Sequence, residues 1–238
     1  MDIPEIVFED EQLLVFNKPS GLLSIRDDRH PWEKTAIDAA IEYLDGKQVL
    51  PVHRIDKDTS GILIIAKHAN AERKMSEIFY DQHLRKLYTT IVRGEVKRDN
   101  KISLPILKTR SGKVKIDKEG RPSLTLYRLK KRYKGFTLLE AEPKTGRTHQ
   151  IRVHLASIGH PLAYDRVYGA RSALVLEDGG VPKTFKRLTL HAGELVFTYW
   201  KTGKSLTLKA AMPADLQEII DILDRNYELP KPSHSHKK

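Results

Sequence analysis

Residues 53–66 read His53-Arg54-Ile55-Asp56-Lys57-Asp58-Thr59-Ser60-Gly61-Ile62-Leu63-Ile64-Ile65-Ala66, a loop dense in charge that runs straight into an apolar segment. Such a run wants cover on both faces and predicts a buried strand. The loop therefore lies at the edge of the core on a rigid support, where catalytic residues are commonly carried. Asp56 stands two residues from Arg54 and one from Lys57. A carboxylate beside fixed cations is favoured in its charged form. That suits a nucleophile or an electrostatic anchor better than a general acid. The competing reading is a surface loop with a local ion pair and a Thr-Ser-Gly turn, and the loop alone leaves both open.

Upstream, residues 6–8 and 13–16 predict two strands across an acidic turn, and Asn17-Lys18-Pro19-Ser20-Gly21 closes the second with turn chemistry. Thr35 can cap a helix to about Leu44, with Gly46 as its stop. Downstream, Asn70 can cap a second helix in which Met75, Ile78, Phe79 and Gln82 follow helical spacing. Residues 86–92 are rich in strand formers. Residues 97–122 are basic and turn-rich, either a solvated hairpin region or a surface for a nucleic-acid backbone. Strands are predicted at 124–127 and 136–141, then a helix capped by Thr148 and running through Ile158, then strands at 188–199 and 205–210. A last helix starts near Pro213 and buries Leu216, Ile219, Ile220 and Leu223. Adjacent strands joined by short turns point to an α+β fold with a mainly antiparallel sheet. One domain over 1–229 and a basic disordered tail over 230–238 are expected.

The 238 residues contain no cysteine, which excludes disulfides, thiolate catalysis and cysteine zinc sites and fits a reducing cytoplasm. No apolar run approaches the roughly 20 residues that span a bilayer, and no signal-peptide pattern opens the chain. Lys+Arg 42 against Asp+Glu 31 gives a net charge of +11, a balance that favours a polyanionic partner.

HRIDKDTSG (53–61) resembles the signature loop of the RluA family of RNA pseudouridine synthases, with Ile55 for the usual leucine. Three further blocks resemble the family in the same order: KLYTTIVRG (86–94), TGRTHQIRVHLASIGHPLAYDRVYG (145–169) and RLTLHAGELVF (187–197). VFNKPSGLLS (15–24) also looks like the family's opening strand and turn. The resemblance spans about Ile6 to Leu216 and implies the pseudouridine synthase fold, a long mixed sheet split by a central cleft. The chain looks like the short form without an S4 RNA-binding domain. The implied reaction breaks the bond from ribose C1′ to uracil N1, turns the base and rejoins it through C5, so no cofactor and no metal are expected.

By resemblance Asp56 is the nucleophile and Arg152, in HQIRVH, is the arginine that pairs with it. Tyr88 is similar to the family's active-site tyrosine. Arg54 would fill the gap left by a flipped nucleotide, since chemistry on a paired uridine requires extrusion. Lys86 and Arg147 would meet the cleft or phosphate, and Asp165 would be a structural partner. Asp58 falls at a variable motif position and is expected to be dispensable. His149 and His154, five apart, do not share a helix face as metal ligands would, and structural hydrogen bonding is expected of both. Two departures stand out: Tyr164 where the family commonly has glycine, and Phe197-Thr198-Tyr199-Trp200 where it has a His-Pro ending. They put the local loop shape in question, not the reaction.

The expected protein is a monomeric synthase acting on ribosomal or transfer RNA, with no membrane association and no obligate protein partner. A rival of another class is an RNA-binding or RNA-folding protein that kept the fold without the chemistry. The aspartate among arginines argues against it. A nuclease is disfavoured because no carboxylate cluster suits paired metals.

Overall fold

Alternating and β-branched segments produce most of the architecture. The computed structural model describes residues 2–27, 31–81, 83–169 and 172–229. The first half contains β1 (Glu5–Glu9), β2 (Leu13–Lys18), α1 (Ala36–Tyr43), β3 (Leu50–Pro51), β4 (Ser60–Ala66) and α2 (Ala69–Tyr80). Then follow β5 (Leu84–Arg93), β6 (Asn100–Ser103), β7 (Ile106–Lys108), β8 (Val114–Ile116), β9 (Leu124–Tyr133) and β10 (Phe136–Pro143). The chain continues with α3 (Gln150–Ser157), β11 (Leu174–Asp178), β12 (Val181–Phe185), β13 (Leu190–Tyr199), β14 (Lys204–Lys209) and α4 (Ala214–Asn226).

The main sheet runs β1-β2-β4-β13-β5-β10-β9-β6, with β3 also on β4 and β14 also on β13. Every pairing in it is antiparallel except β4 with β13. The run after the Asp56 loop is buried from end to end, as its composition predicts. Its alternation divides two cores. Ile62 and Ile64 join Val15, Met75 and Phe197 on the α2 side, while Leu63 and Ile65 join Phe16, Ala36 and Ala40 on the α1 side. Beyond β13, Leu155 of α3 packs with Val92 and Leu139, and α4 packs with Ile91, Tyr133 and the β11–β12 hairpin.

The parallel pair is a seam two residues long, Ser60 against His191 and Gly61 against Ala192. Gly61 has φ +113°, and a Cβ there would fall 2.2 Å from the Ala192 carbonyl oxygen. Only glycine allows the two backbones to meet so closely. The seam sits directly beneath the Asp56 loop.

The α1 helix starts with the expected cap, a capping box between Thr35 and Asp38. The other two expected caps are displaced. His68, in extended backbone, caps α2 and accepts from the Ala71 amide, whereas Asn70 accepts from Arg73. Before α3 the cap position is His149 in the left-handed region at φ 54°, not Thr148. Ile158, expected within that helix, is 37% exposed because the helix ends before it. The β11–β12 hairpin, turned by Gly179 and Gly180, is not among the expected strands. Residues 97–122 divide: β6 extends the main sheet, and β7–β8 forms a separate hairpin. Gln82 and the tail from Pro230 onward lie outside the described residues.

Tyr164 does not distort its loop. It is buried with Ala163, Leu174 and Leu176 and does not take a positive φ, so the ring fills core space under the β11–β12 hairpin. Phe197 and Tyr199 are also core residues, and the Tyr199 hydroxyl donates to Asp10.

Candidate active site

Above the seam is a cleft of about 300 Å³ whose lining includes Arg54, Asp56, Lys86, Tyr88, Arg147, His149 and Arg152. The six residues assigned from the sequence therefore converge on one cavity, although they come from the loop before β4, from β5, and from α3 and the segment leading into it. Asp58 is not among its lining residues.

The floor is a linear ionic array. Arg152 donates through Nε and Nη2 to Asp165 Oδ2 and Oδ1 at 2.7 and 2.9 Å, and through Nη1 to Asp56 Oδ2 at 3.0 Å. Asp165 is fully buried, and its Oδ1 also accepts from the Val167 and Tyr168 amides. Burial pushes the Asp165 carboxyl up, but Arg152 and the two amides outweigh it and hold the group below the usual carboxylate range. Burial likewise works against the Arg152 charge, and the two carboxylates outweigh it and raise the guanidinium above its ordinary range. The Tyr168 ring lies against the guanidinium at 5.3 Å. Arg152 is thus a permanently charged clamp with one fixed orientation. Among the described residues, no hydrogen bond reaches Asp56 Oδ1, so one carboxylate oxygen is held and the other is left for chemistry.

The flanking cations of the loop are not what hold Asp56. Lys57 turns away to Glu33 at 2.7 Å, and among the described residues no ion pair joins Arg54 to Asp56. Arg54 is exposed at the rim. The loop is instead fixed from below by the turn after β2. Lys18, wholly buried, donates its three ammonium hydrogens to the carbonyls of Pro19, Leu22 and Lys57. Burial pulls this ammonium down toward about 7, against the pull of Asp58 and Asp56, and the three carbonyls on its three hydrogens favour the charged form. Ser24 Oγ donates to the Ile55 carbonyl and accepts from the Ile55 amide, and Gly21 N–H reaches the Lys57 carbonyl. His53 Nε2 accepts from the Ile64 amide while its ring stacks on Phe79 at 4.6 Å. Burial, with Lys86 nearby, lowers His53 to about 3, so it serves as a neutral peg.

On the walls, burial and the Asp56 charge raise the Tyr88 phenol, which keeps its proton and can stack or donate. Burial lowers the Lys86 ammonium. Arg147 borders both this cleft and an adjoining cavity of about 530 Å³ under the β7–β8 hairpin. His154 behaves as expected of a structural histidine, bonded to Thr125 Oγ1 and the Leu104 carbonyl. His149 does not. Its Nδ1 meets the Tyr168 hydroxyl at 2.9 Å, but its Nε2 lies 3.8 Å from Asp56 Oδ2 and its ring lines the cleft. The spacing argument asked only whether the two histidines share a helix face, and His149 precedes the helix. Lys18 lay in a quoted motif but carried no assignment. A lysine at the end of a largely apolar strand was the available signal.

A sequence profile of the family described as RNA pseudouridylate synthase matches residues 12–157. The chain is 37% identical to a protein of Zymomonas mobilis named ribosomal large subunit pseudouridine synthase D, over 93% of this chain and 74% of that one. It is also 37% identical to a Pasteurella multocida protein named ribosomal large subunit pseudouridine synthase C, over 92% of this chain and 68% of that one. Among solved structures, human RNA pseudouridylate synthase domain containing 4 superposes with a TM-score of 0.74 at 22% identity, covering 95% of this chain and 94% of that one, which shows the shared fold.

Proposed function

The chain belongs to the RNA pseudouridylate synthase family, and on that premise we propose that it isomerises specific uridines of large-subunit ribosomal RNA or transfer RNA to pseudouridine, with Asp56 as the nucleophile. The observation that carries this reading is the Asp56–Arg152–Asp165 array at the floor of the cleft. Clamping Oδ2 leaves Oδ1 to engage the nucleoside, and the charge of Arg152 is itself neutralised from behind by Asp165. Tyr88 presents a protonated phenol and a ring face to the base. Arg54, exposed at the rim and without a protein partner among the described residues, supports a role in occupying the place of an extruded nucleotide. Lys86 and Arg147 offer positive charge to the phosphates on either side of that nucleotide. The isomerisation requires no group donor, and the enzyme works as a monomer.

Pseudouridine mapping of total RNA from cells with and without the protein tests the reading. Discrete sites vanish on deletion, the native protein restores them, and the Asp56→Asn variant does not. Restoration by that variant would remove the nucleophile assignment, and an unchanged map, with purified protein inert on ribosomal and transfer RNA transcripts, would remove the activity.

A further inference from the structure

His149 holds a left-handed backbone at φ 54°, a region uncommon for non-glycine residues although Asn, Asp and His enter it more readily than others, and backbone of this kind clusters at functional sites. Its side chain gives the helix no cap hydrogen bond, so capping does not account for it. The conformation instead delivers an imidazole to the cleft wall. There the ring is fixed by Tyr168, whose hydroxyl lies 2.9 Å from Nδ1 and whose own ring is pinned against Arg152 at 5.3 Å.

The pairing, with Asp56 on the other side of the ring, favours one tautomer. Burial, against the opposing pull of Arg152's charge, raises the Tyr168 phenol to about 12, so it keeps its proton and can donate to Nδ1. The imidazole hydrogen then sits on Nε2, 3.8 Å from Asp56 Oδ2. The opposite tautomer would aim an Nε2 lone pair at a carboxylate. Burial keeps the ring neutral: it lowers His149 despite the attraction of Asp56, with Arg152 and Lys108 adding to the lowering and Asp165 opposing it. At 3.8 Å the Nε2–H is too far from Asp56 for a hydrogen bond and is left available beside the reacting carboxylate.

We infer that His149 is a catalytic residue, a neutral imidazole whose Nε2–H donates to the uracil anion released from the ribose and holds it while it turns. The inference rests on the reading of this cleft as the isomerisation site. When the C1′–N1 bond breaks, its electron pair leaves with the base, and negative charge spreads over N1, O2 and O4 while Asp56 meets the positive charge at C1′. His149 donates a hydrogen bond to an anion oxygen without giving up its proton. The C5 carbon then supplies the pair for the new bond to C1′, C5 loses its hydrogen and N1 gains one, so the reaction needs no co-reactant. A donor placed where charge develops is the arrangement that accelerates such a step.

The experiment uses the full chain and a transcript that the native enzyme modifies. His149→Asn keeps a residue that tolerates the left-handed backbone but is too short to reach the base, and His149→Gln restores a longer donor. In single turnover at saturating enzyme, the Asn variant falls by about 100-fold with unchanged RNA affinity and unchanged circular dichroism, and the Gln variant recovers most of the rate. Nitrogen-15 NMR of histidine-labelled native protein, assigned by difference from His149→Asn, shows the Nε2–H tautomer. An Asn variant that turns over at the native rate, a loss confined to affinity, or an Nδ1–H tautomer would overturn the inference. A native enzyme inert on every transcript would instead sink the functional reading, and the tautomer measurement would still stand.

Discussion

The floor of the cleft and the hairpin that borders the adjoining cavity, an outer wall to the whole site, are built on opposite principles. On the floor, Asp56, Arg152 and Asp165 are joined in a row by hydrogen bonds, with Asp165 fully buried. On the wall, the β7–β8 hairpin and its flanks carry Lys108, Arg110, Lys113, Lys118 and Arg121, all exposed and none in an ion pair among the described residues. Each floor residue has one partner set and one geometry, so its replacement has no substitute. Each wall residue contributes charge that a neighbour can partly replace. The difference separates the chemistry, which tolerates no change, from recognition, which is spread out and adjustable.

The sharpest way to break this contrast is Asp56→Asn, which is nearly isosteric. Turnover should drop by at least about 10⁴-fold while RNA affinity and thermal stability hold, as single-turnover assays and a melting curve would read. Next, Asp165→Ala leaves the Arg152 charge buried with one partner lost. Breaking such a pair costs roughly 3–5 kcal/mol, seen as a lower denaturation midpoint. The pH dependence follows from the same group. Its folded pKa is depressed, so the stabilisation is present above the unfolded carboxylate value near about 4 and is lost as pH falls through the lower folded value. Acid destabilisation of the native protein should therefore set in as pH drops below about 4 and be complete below the folded value, and Asp165→Ala should flatten this part of the stability profile. A flat native profile would remove Asp165 as the support of the floor. Third, Gly61→Ala pushes a methyl into the Ala192 carbonyl at the joint beneath the floor. It should destabilise by the upper part of roughly 1–3 kcal/mol and slow turnover with it. Smallest, the triple change of Lys108, Lys113 and Arg121 to alanine should weaken RNA binding about tenfold at low salt and lower the slope of log affinity on log salt by about 2–3. The rate at saturating RNA should not move. A changed saturated rate would mean the wall takes part in the chemistry.

The same contrast explains what could be read from the residues alone. Asp56, Tyr88 and Arg152 sit in runs whose order along the chain is distinctive, and the cleft gathers all three. The strand after the loop was legible because an unbroken apolar run has few other homes. What escaped depends on contacts between distant segments. Lys57 looks like a neighbour for Asp56 in sequence, yet Glu33 takes it, and the guanidinium that holds Asp56 lies 96 positions away. His149 escaped because nothing in its composition announces a left-handed backbone before a helix. Tyr164 put its loop shape in question because the β11–β12 hairpin that receives it was itself unread. The Asn70 cap was a propensity argument, and His68, one residue ahead of the helix in extended backbone, took the position.

The seam has a consequence in time. Ser60 and Gly61 find their partners at His191 and Ala192, and the Ser60 hydroxyl meets a ring 131 residues further along. At a synthesis rate of roughly 5–20 residues per second, the whole signature loop leaves the ribosome on the order of ten seconds before the strand that closes the sheet beneath it. Throughout that interval the nascent chain carries its aspartate without a cleft. The enzyme becomes competent only once that later strand has been made, so a chain truncated before it is chemically silent even though it retains every residue of HRIDKDTSG.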